Sequence, residues 1–326
     1  MSLARKISIA FAIALLGQAA SAAYNSQDIR VLSYNINALP SVAKKGGSDQ
    51  YEAIAQELRE RRKEGTHPQV VLLQEVFNSK ADVIIEQTGY PFVVHGPGRK
   101  DTSKRGKAHW SQQTRKQYST FTNPQKFTGS GLVILSDFPI LEAHHKAFDS
   151  DTCAGIDCLA NKAIMMVRLD VPGLDVPLDV INSHFNSRGT AAAPKKWTLK
   201  AHQKQTDTLV WFLDKMKAGN PQILAGDFNT KYQARYNYFK EQVGFVDIGE
   251  NCLALEAVCT VDPATKTDMI LYNTNDKHFA APGQAYGITP TFVARNFTGK
   301  VNGKPFSDHL GYEVHYRLTP SANLSR

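Results

Sequence analysis

The chain alternates short apolar runs with polar, glycine-containing connections, and most of the runs are of strand length. Ile29 to Tyr34, Gln69 to Leu73, Gly131 to Leu135, Ala163 to Leu169, Leu178 to Asn182 and Gln222 to Ala225 are mainly apolar and end in polar or turn-forming residues. Such runs read as buried strands. Met269 to Tyr272 and Leu310 to Tyr316 read the same way. Two stretches have helical spacing instead. Tyr51, Ile54, Ala55 and Leu58 share one face of a helix that begins at Ser48 or Asp49 and stops at Gly65. Thr206, Leu209, Val210, Leu213 and Met216 share a face of a second, from about Leu199 to Lys217. Many strands with few helices predict an α/β fold of two packed sheets with helices outside.

Six of these strand boundaries carry polar residues suited to phosphate chemistry: Asn35, Glu75, His184, Asp227 with Asn229, Asp268, and Asp308 with His309. Asp227 and Asn229 are two apart, so an extended chain sends both side chains to the same side of the sheet. Taken singly, each residue has an ordinary role as turn former, cap or satisfied core histidine. A lone buried carboxylate such as Glu75 needs a partner. Together, at the ends of successive strands, they fit one metal-assisted phosphodiester hydrolase site.

Composition changes this picture in three ways. The 326 residues carry a formal net charge of +8, which favours an anionic partner, either nucleic acid or an acidic membrane surface. Much of that charge lies between Arg99 and Lys126, where eight Lys or Arg accompany one acid, Asp101, with Trp110, Tyr118 and Phe121 interleaved. This basic insertion suits gripping phosphates or entering headgroups, and equally a solvated loop. At the start, Arg5 and Lys6 precede an apolar run from Ile7 to Gly17, then small residues ending Ala20-Ser21-Ala22. That is the layout of a signal peptide over 1–22, leaving 23–326 as a single catalytic domain, secreted or periplasmic. Four cysteines follow, Cys153, Cys158, Cys252 and Cys259. An even count in an exported chain suggests disulfides, and the two close pairs are the simplest of three pairings.

The motifs Tyr34-Asn35, Leu73-Gln74-Glu75-Val76, Ser183-His184, Gly226-Asp227-Phe228-Asn229, Thr267-Asp268 and Ser307-Asp308-His309 occur in an order that resembles the endonuclease/exonuclease/phosphatase superfamily. The resemblance implies a deoxyribonuclease-I-like fold: a four-layered α/β/β/α sandwich of two packed mixed β-sheets with outer helices. Within it, Tyr34-Asn35-Ile36-Asn37-Ala38-Leu39-Pro40, Gln74-Glu75-Val76-Phe77 and the stretch Phe148 to Ala163 are similar to the bacterial-type neutral sphingomyelinases. Two departures stand against that. Phe-Asn-Ser-Arg-Gly after His184 is not their expected continuation, and no strongly apolar docking hairpin is visible, Ala280 to Ile288 being only weakly apolar.

The resemblance implies water attack on phosphorus with Mg²⁺, or Mn²⁺ or Ca²⁺ in its place. Glu75 holds the metal, helped by Asn35. His309 is the general base, oriented by Asp268, while Asp308 supports the site. Asp227 and Asn229 place the water and brace phosphorus, His184 donates to a phosphoryl oxygen, and Lys162 adds a cation at the substrate. The expected activity is a monomeric sphingomyelinase C-like enzyme acting on a phospholipid membrane surface. The alternative is a secreted endonuclease acting on nucleic acid. A non-catalytic scaffold has no physical need for so many acidic and imidazole groups.

Overall fold

A computed structural model of the chain describes residues 26–41, 47–101, 126–265 and 274–321. Strands β1 (Gln27–Ala38), β2 (Val70–Val76), β3 (Phe92–His95), β4 (Val133–Ser136), β5 (Ile140–Ala147), β6 (Ala163–Leu169), β7 (Leu178–His184) and β8 (Gln222–Asp227) make up the first two thirds. Then come β9 (Val246–Asp247), β10 (Thr260–Val261), β11 (Asp276–Ala281), β12 (Tyr286–Asn296), the small hairpin β13 (Lys300–Val301) and β14 (Lys304–Pro305), and β15 (Gly311–Pro320). Helices α1 (Ser48–Lys63), α2 (Asp82–Gln87), α3 (Lys195–Met216), α4 (Gln233–Val243) and α5 (Ile248–Ala254) connect them. The first sheet has the order β10-β12-β15-β1-β2-β4-β3 and the second β5-β6-β7-β8-β11-β9. Both are mixed: β1–β2 and β7–β8 pair parallel, while β1–β15 and β8–β11 pair antiparallel.

The sandwich follows from strands that are apolar on both faces. In β1, Ile29 and Val31 enter the core between the sheets, while Leu32, Tyr34 and Ile36 pack outward with Tyr51, Ile54 and Leu58 of α1. In β8, Ile223 and Ala225 face inward, and Leu224 joins Leu209, Phe212 and Leu213 of α3. Period-two alternation of side chains thus serves two apolar layers at once. The result is helix, sheet, sheet, helix, the fold that the sequence predicts.

Local details differ from the sequence expectations. The cap position of α1 is Gly47, in the left-handed region at φ 96°, and neither Ser48 nor Asp49 caps with its side chain. The second long helix begins at Lys195, directly after Pro194, earlier than the apolar spacing suggested. Ala280 to Ile288 forms no hairpin, because β11 and β12 lie in different sheets. Both disulfides join the close pairs, Cys153–Cys158 and Cys252–Cys259. The signal-peptide stretch, most of the basic insertion, and the strand expected at Met269 to Tyr272 with Asp268 lie outside the described residues.

Candidate active site

The ends of β1, β2, β7 and β8 meet at one edge of the sandwich. A polar seam between the sheets fixes them there. Gln74 Nε2 donates to Asn182 Oδ1 at 2.8 Å, and Asn182 Nδ2 donates to the carbonyl of Leu73 at 3.0 Å and of Val133 at 3.2 Å. This cross-sheet link sits one residue before Glu75 and two before His184. Gly226 completes the approach of β7 and β8. A Cβ there would lie 2.2 Å from the Ser183 carbonyl oxygen, so no other residue fits without moving backbone. Three residues here hold left-handed backbone without being glycine: Asn37 at φ 50°, Glu75 at φ 58° and Asn229 at φ 53°. Such conformations cost about 1–3 kcal/mol each and cluster where function demands them.

A cavity of about 390 Å³ opens at this edge. Glu75, His184, Asp227, Asn229, Asp308 and His309 all line it, as does Lys162. Asn35 lies beneath, fully buried, and donates through Nδ2 to Asp227 Oδ2 at 3.0 Å. Asp227 Oδ1 accepts from the backbone N–H of Asn229 at 3.0 Å. Asn229 Nδ2 donates to the Phe185 carbonyl at 3.1 Å. Ser307 Oγ donates to the Asn35 carbonyl at 2.8 Å and accepts from the His309 backbone N–H at 3.2 Å, tying the Ser-Asp-His turn to the end of β1.

His309 is held by a carboxylate that the sequence reading passed over. Its Nδ1 lies 2.8 Å from Asp276 Oδ2, and its Nε2 faces Asp227 Oδ2 at 3.7 Å. Burial alone would lower this imidazole's pKa; the charges of Asp276 and Asp227 overcome that and push it up to about 11. His184 is the opposite case. Burial, with the Lys162 ammonium beside it, pulls it down to about 3, so its ring is neutral. Its Nε2 is 3.1 Å from Lys162 Nζ, 3.4 Å from Asp227 Oδ2 and 3.8 Å from Glu75 Oε1. Lys162 is anchored as well, donating to the Phe185 carbonyl at 2.7 Å and pairing with Asp157 Oδ1 at 3.3 Å. Asp308 stands at the exposed rim and does not bond the His309 ring.

Glu75 records the charge state of the site. Burial pushes its carboxyl up to about 7, with Asp227 adding to the shift and Lys162 opposing it. The Glu75 and Asp227 carboxylates, side by side at the cavity, offer oxygens suited to a hard divalent cation, while the Asn35 amide beneath turns its N–H2 toward Asp227 and holds that carboxylate in place. Asp227, Asp276 and His309 also offer donor atoms within 4.8 Å of one another. The imidazole–carboxylate pair within that group is better suited to proton transfer, and the oxygen-rich Glu75 side is the better Mg²⁺ position.

Two further residues escaped the sequence reading. Arg235, only 1% exposed, donates to four carbonyls: Asn186 at 2.7 Å, Asn229 at 3.3 Å, Ser187 at 3.2 Å and Thr198 at 3.0 Å. It binds together the loops that follow β7 and β8. Arg188 stacks its guanidinium 3.7 Å over the Tyr232 ring at the cavity wall. Neither shows in a hydrophobic pattern, because each is placed by contacts distant in sequence.

Comparison with solved structures gives the same fold at low identity. Staphylococcus aureus beta toxin, in a double-mutant form with bound magnesium ions, is 17% identical with a TM-score of 0.63, over 88% of this chain and 99% of that one. Sphingomyelinase C from Streptomyces griseocarneus is 21% identical with a TM-score of 0.59, over 89% and 99%. D. rerio TDP2 complexed with a single-strand DNA product is 16% identical with a TM-score of 0.58, over 89% and 98%. No curated protein sequence matches. The model of the endonuclease/exonuclease/phosphatase family matches residues 32–309, and the chain belongs to that family of phosphate-ester hydrolases.

Proposed function

We propose that the chain is a secreted, divalent-metal-dependent phosphodiesterase that hydrolyses sphingomyelin to ceramide and phosphocholine. The observation that carries the hydrolase reading is the His309–Asp276 pair, turned into the cavity that Asp227, Asn229, His184, Lys162 and Glu75 line. Asp276 accepts the Nδ1 proton and so leaves Nε2 as the basic nitrogen facing the cavity. Nε2 takes a proton from the attacking water as the new P–O bond forms and the bond to the ceramide oxygen breaks, and that oxygen takes up a proton from solvent to leave as the ceramide hydroxyl. Asp227, braced by Asn35 and by the Asn229 N–H, fixes where that water sits. The Lys162 ammonium and the His184 ring border the phosphoryl group, where negative charge grows. Glu75, with Asn35 behind it, would hold Mg²⁺, which would polarise a phosphoryl oxygen and offset the carboxylate field that keeps His309 protonated.

The lipid substrate rests on the motif resemblance and on the likeness to a bacterial sphingomyelinase C. The two disulfides suit an oxidising compartment outside the cytoplasm. A second reading, an endonuclease, is favoured by the stacked Arg188–Tyr232 pair beside Lys231, which would suit a phosphate backbone and a base. Sphingomyelin vesicles and plasmid DNA, each incubated with the protein and Mg²⁺, separate the two. Phosphocholine release with intact plasmid supports the lipid substrate, and nicking without phosphocholine supports the nuclease.

A further inference from the structure

We propose that Phe127, Ile156 and Leu159 form a rim that docks the protein on a phospholipid bilayer and holds the cavity mouth against the headgroups. The use made of this surface rests on the lipid reading above; its existence is tested separately.

The three side chains are 56%, 57% and 39% exposed. They are neighbours. The Phe127 N–H donates to the Leu159 carbonyl at 2.6 Å, and a parallel bridge joins Thr128 to Ala160. In that register Phe127 and Leu159 emerge on the same side. Ile156 and Leu159 are three apart on the 3₁₀ turn Gly155–Leu159, where positions i and i+3 eclipse. The turn's other side is polar and faces the site. Asp157 pairs with Lys162 and accepts from the Ser187 N–H, and both Asp157 and Lys162 line the cavity. One short turn therefore presents apolar residues outward and a cavity wall inward.

The turn is built to keep that orientation. Cys153–Cys158 closes it covalently. Gly155 sits at φ +65°, where a Cβ would lie 1.8 Å from the Ala191 carbonyl oxygen, and the Ile156 N–H donates to that same oxygen at 2.9 Å. This pins the apolar face to the loop after β7. From Arg188 to Lys200 that loop and the start of α3 carry Arg188, Lys195, Lys196 and Lys200 and no acidic residue, with the three lysines exposed. Apolar side chains bordered by exposed cations match a bilayer, whose acyl boundary takes the first and whose phosphates attract the second. A rigid apolar turn flanked by lysines has no comparable use against the hydrophilic backbone of a nucleic acid.

The test uses vesicles of phosphatidylcholine and phosphatidylserine without sphingomyelin, so that binding is read apart from turnover. Wild-type protein should co-float with them. A Phe127→Asp, Ile156→Asp, Leu159→Asp variant should lose more than about tenfold in partitioning, while its hydrolysis of soluble bis(p-nitrophenyl) phosphate is unchanged. The milder Ile156→Ser, Leu159→Ser pair should show an intermediate loss if the triple variant folds poorly. Wild-type protein that ignores the vesicles, a variant that binds them equally well, or a loss confined to plasmid binding would each overturn the proposal. Vesicle binding that depends on these residues, without phosphocholine release from sphingomyelin, would retain the docking face and remove the substrate assignment.

Discussion

His309 and Asp276 join the two sheets at the cavity: His309 lies two residues before β15 of the first sheet, Asp276 opens β11 of the second, and Nδ1 lies 2.8 Å from Oδ2. A carboxylate from the second sheet thus orients an imidazole whose backbone Ser307 ties to the end of β1 in the first. Asp276→Asn should lower kcat by about 10²-fold or more with little change in KM, because the amide no longer favours the Nδ1–H tautomer. Asp268→Asn, made in parallel, distinguishes the carboxylate expected from the family resemblance. A large loss from Asp268→Asn with none from Asp276→Asn would reassign the partner.

Metal removal should abolish turnover. EDTA-treated protein should be inactive and recover with Mg²⁺. Glu75→Gln should weaken Mg²⁺ binding by about tenfold or more, measured by calorimetric titration of the metal alone, because a neutral amide replaces a carboxylate in the oxygen donor set. Full activity in EDTA, or unchanged Mg²⁺ affinity in the variant, would place the cation elsewhere.

Arg235 should matter to stability and to catalysis together. Its four carbonyl acceptors include those of Ser187 and Asn229, two residues of the cavity lining. Arg235→Ala leaves those carbonyls unsatisfied and should destabilise the fold by about 3 kcal/mol. Arg235→Lys should recover only part of this, since an ammonium lacks the planar fork that reaches both sides. Urea unfolding of the two variants measures it, and wild-type stability in Arg235→Ala would show that the loops are held without it.

Acid should unfold the protein through two buried imidazoles that do not line the cavity, His202 and His278. Burial pulls His202 and His278 down to about 3, so both stay neutral in the fold while the unfolded chain protonates near pH 6.5. Their stabilising contribution is complete above that pH and is lost as pH falls below it, each adding about 1.4 kcal/mol per pH unit to the slope. His278 bonds Tyr316 Oη and the Tyr312 carbonyl, both at 3.0 Å, across the sheets. Stability measured between pH 7 and pH 5 should fall in the wild type and fall less steeply in His278→Gln. A flat profile would contradict the neutral state.

The sheets were legible in the sequence where strands are apolar on both faces, as in β6, whose ends match the apolar run Ala163 to Leu169. The edge-of-sheet motifs were legible because Asp227, Asn229, His184 and His309 follow such runs directly or stand at their edges. Asp276 was not. Asp276-Lys277-His278 looks like a loop, yet it opens a buried strand, because Lys277 pairs with Asp247 at 3.1 Å and His278 with Tyr316. Those partners lie 30 and 38 residues away, beyond the reach of local pattern. Strand β12 was hidden by Gly287 and Pro290; the proline is accommodated by a bulge between Pro290 and Phe292.

The central claim is that this cavity hydrolyses phosphodiesters with His309 as the base. The most direct measurement is the initial rate of Mg²⁺-dependent bis(p-nitrophenyl) phosphate hydrolysis by wild-type protein and by His309→Ala. The account predicts a metal-dependent rate that falls by about 10²-fold or more in the variant, with circular dichroism unchanged. Near-normal turnover in a folded His309→Ala protein would contradict it.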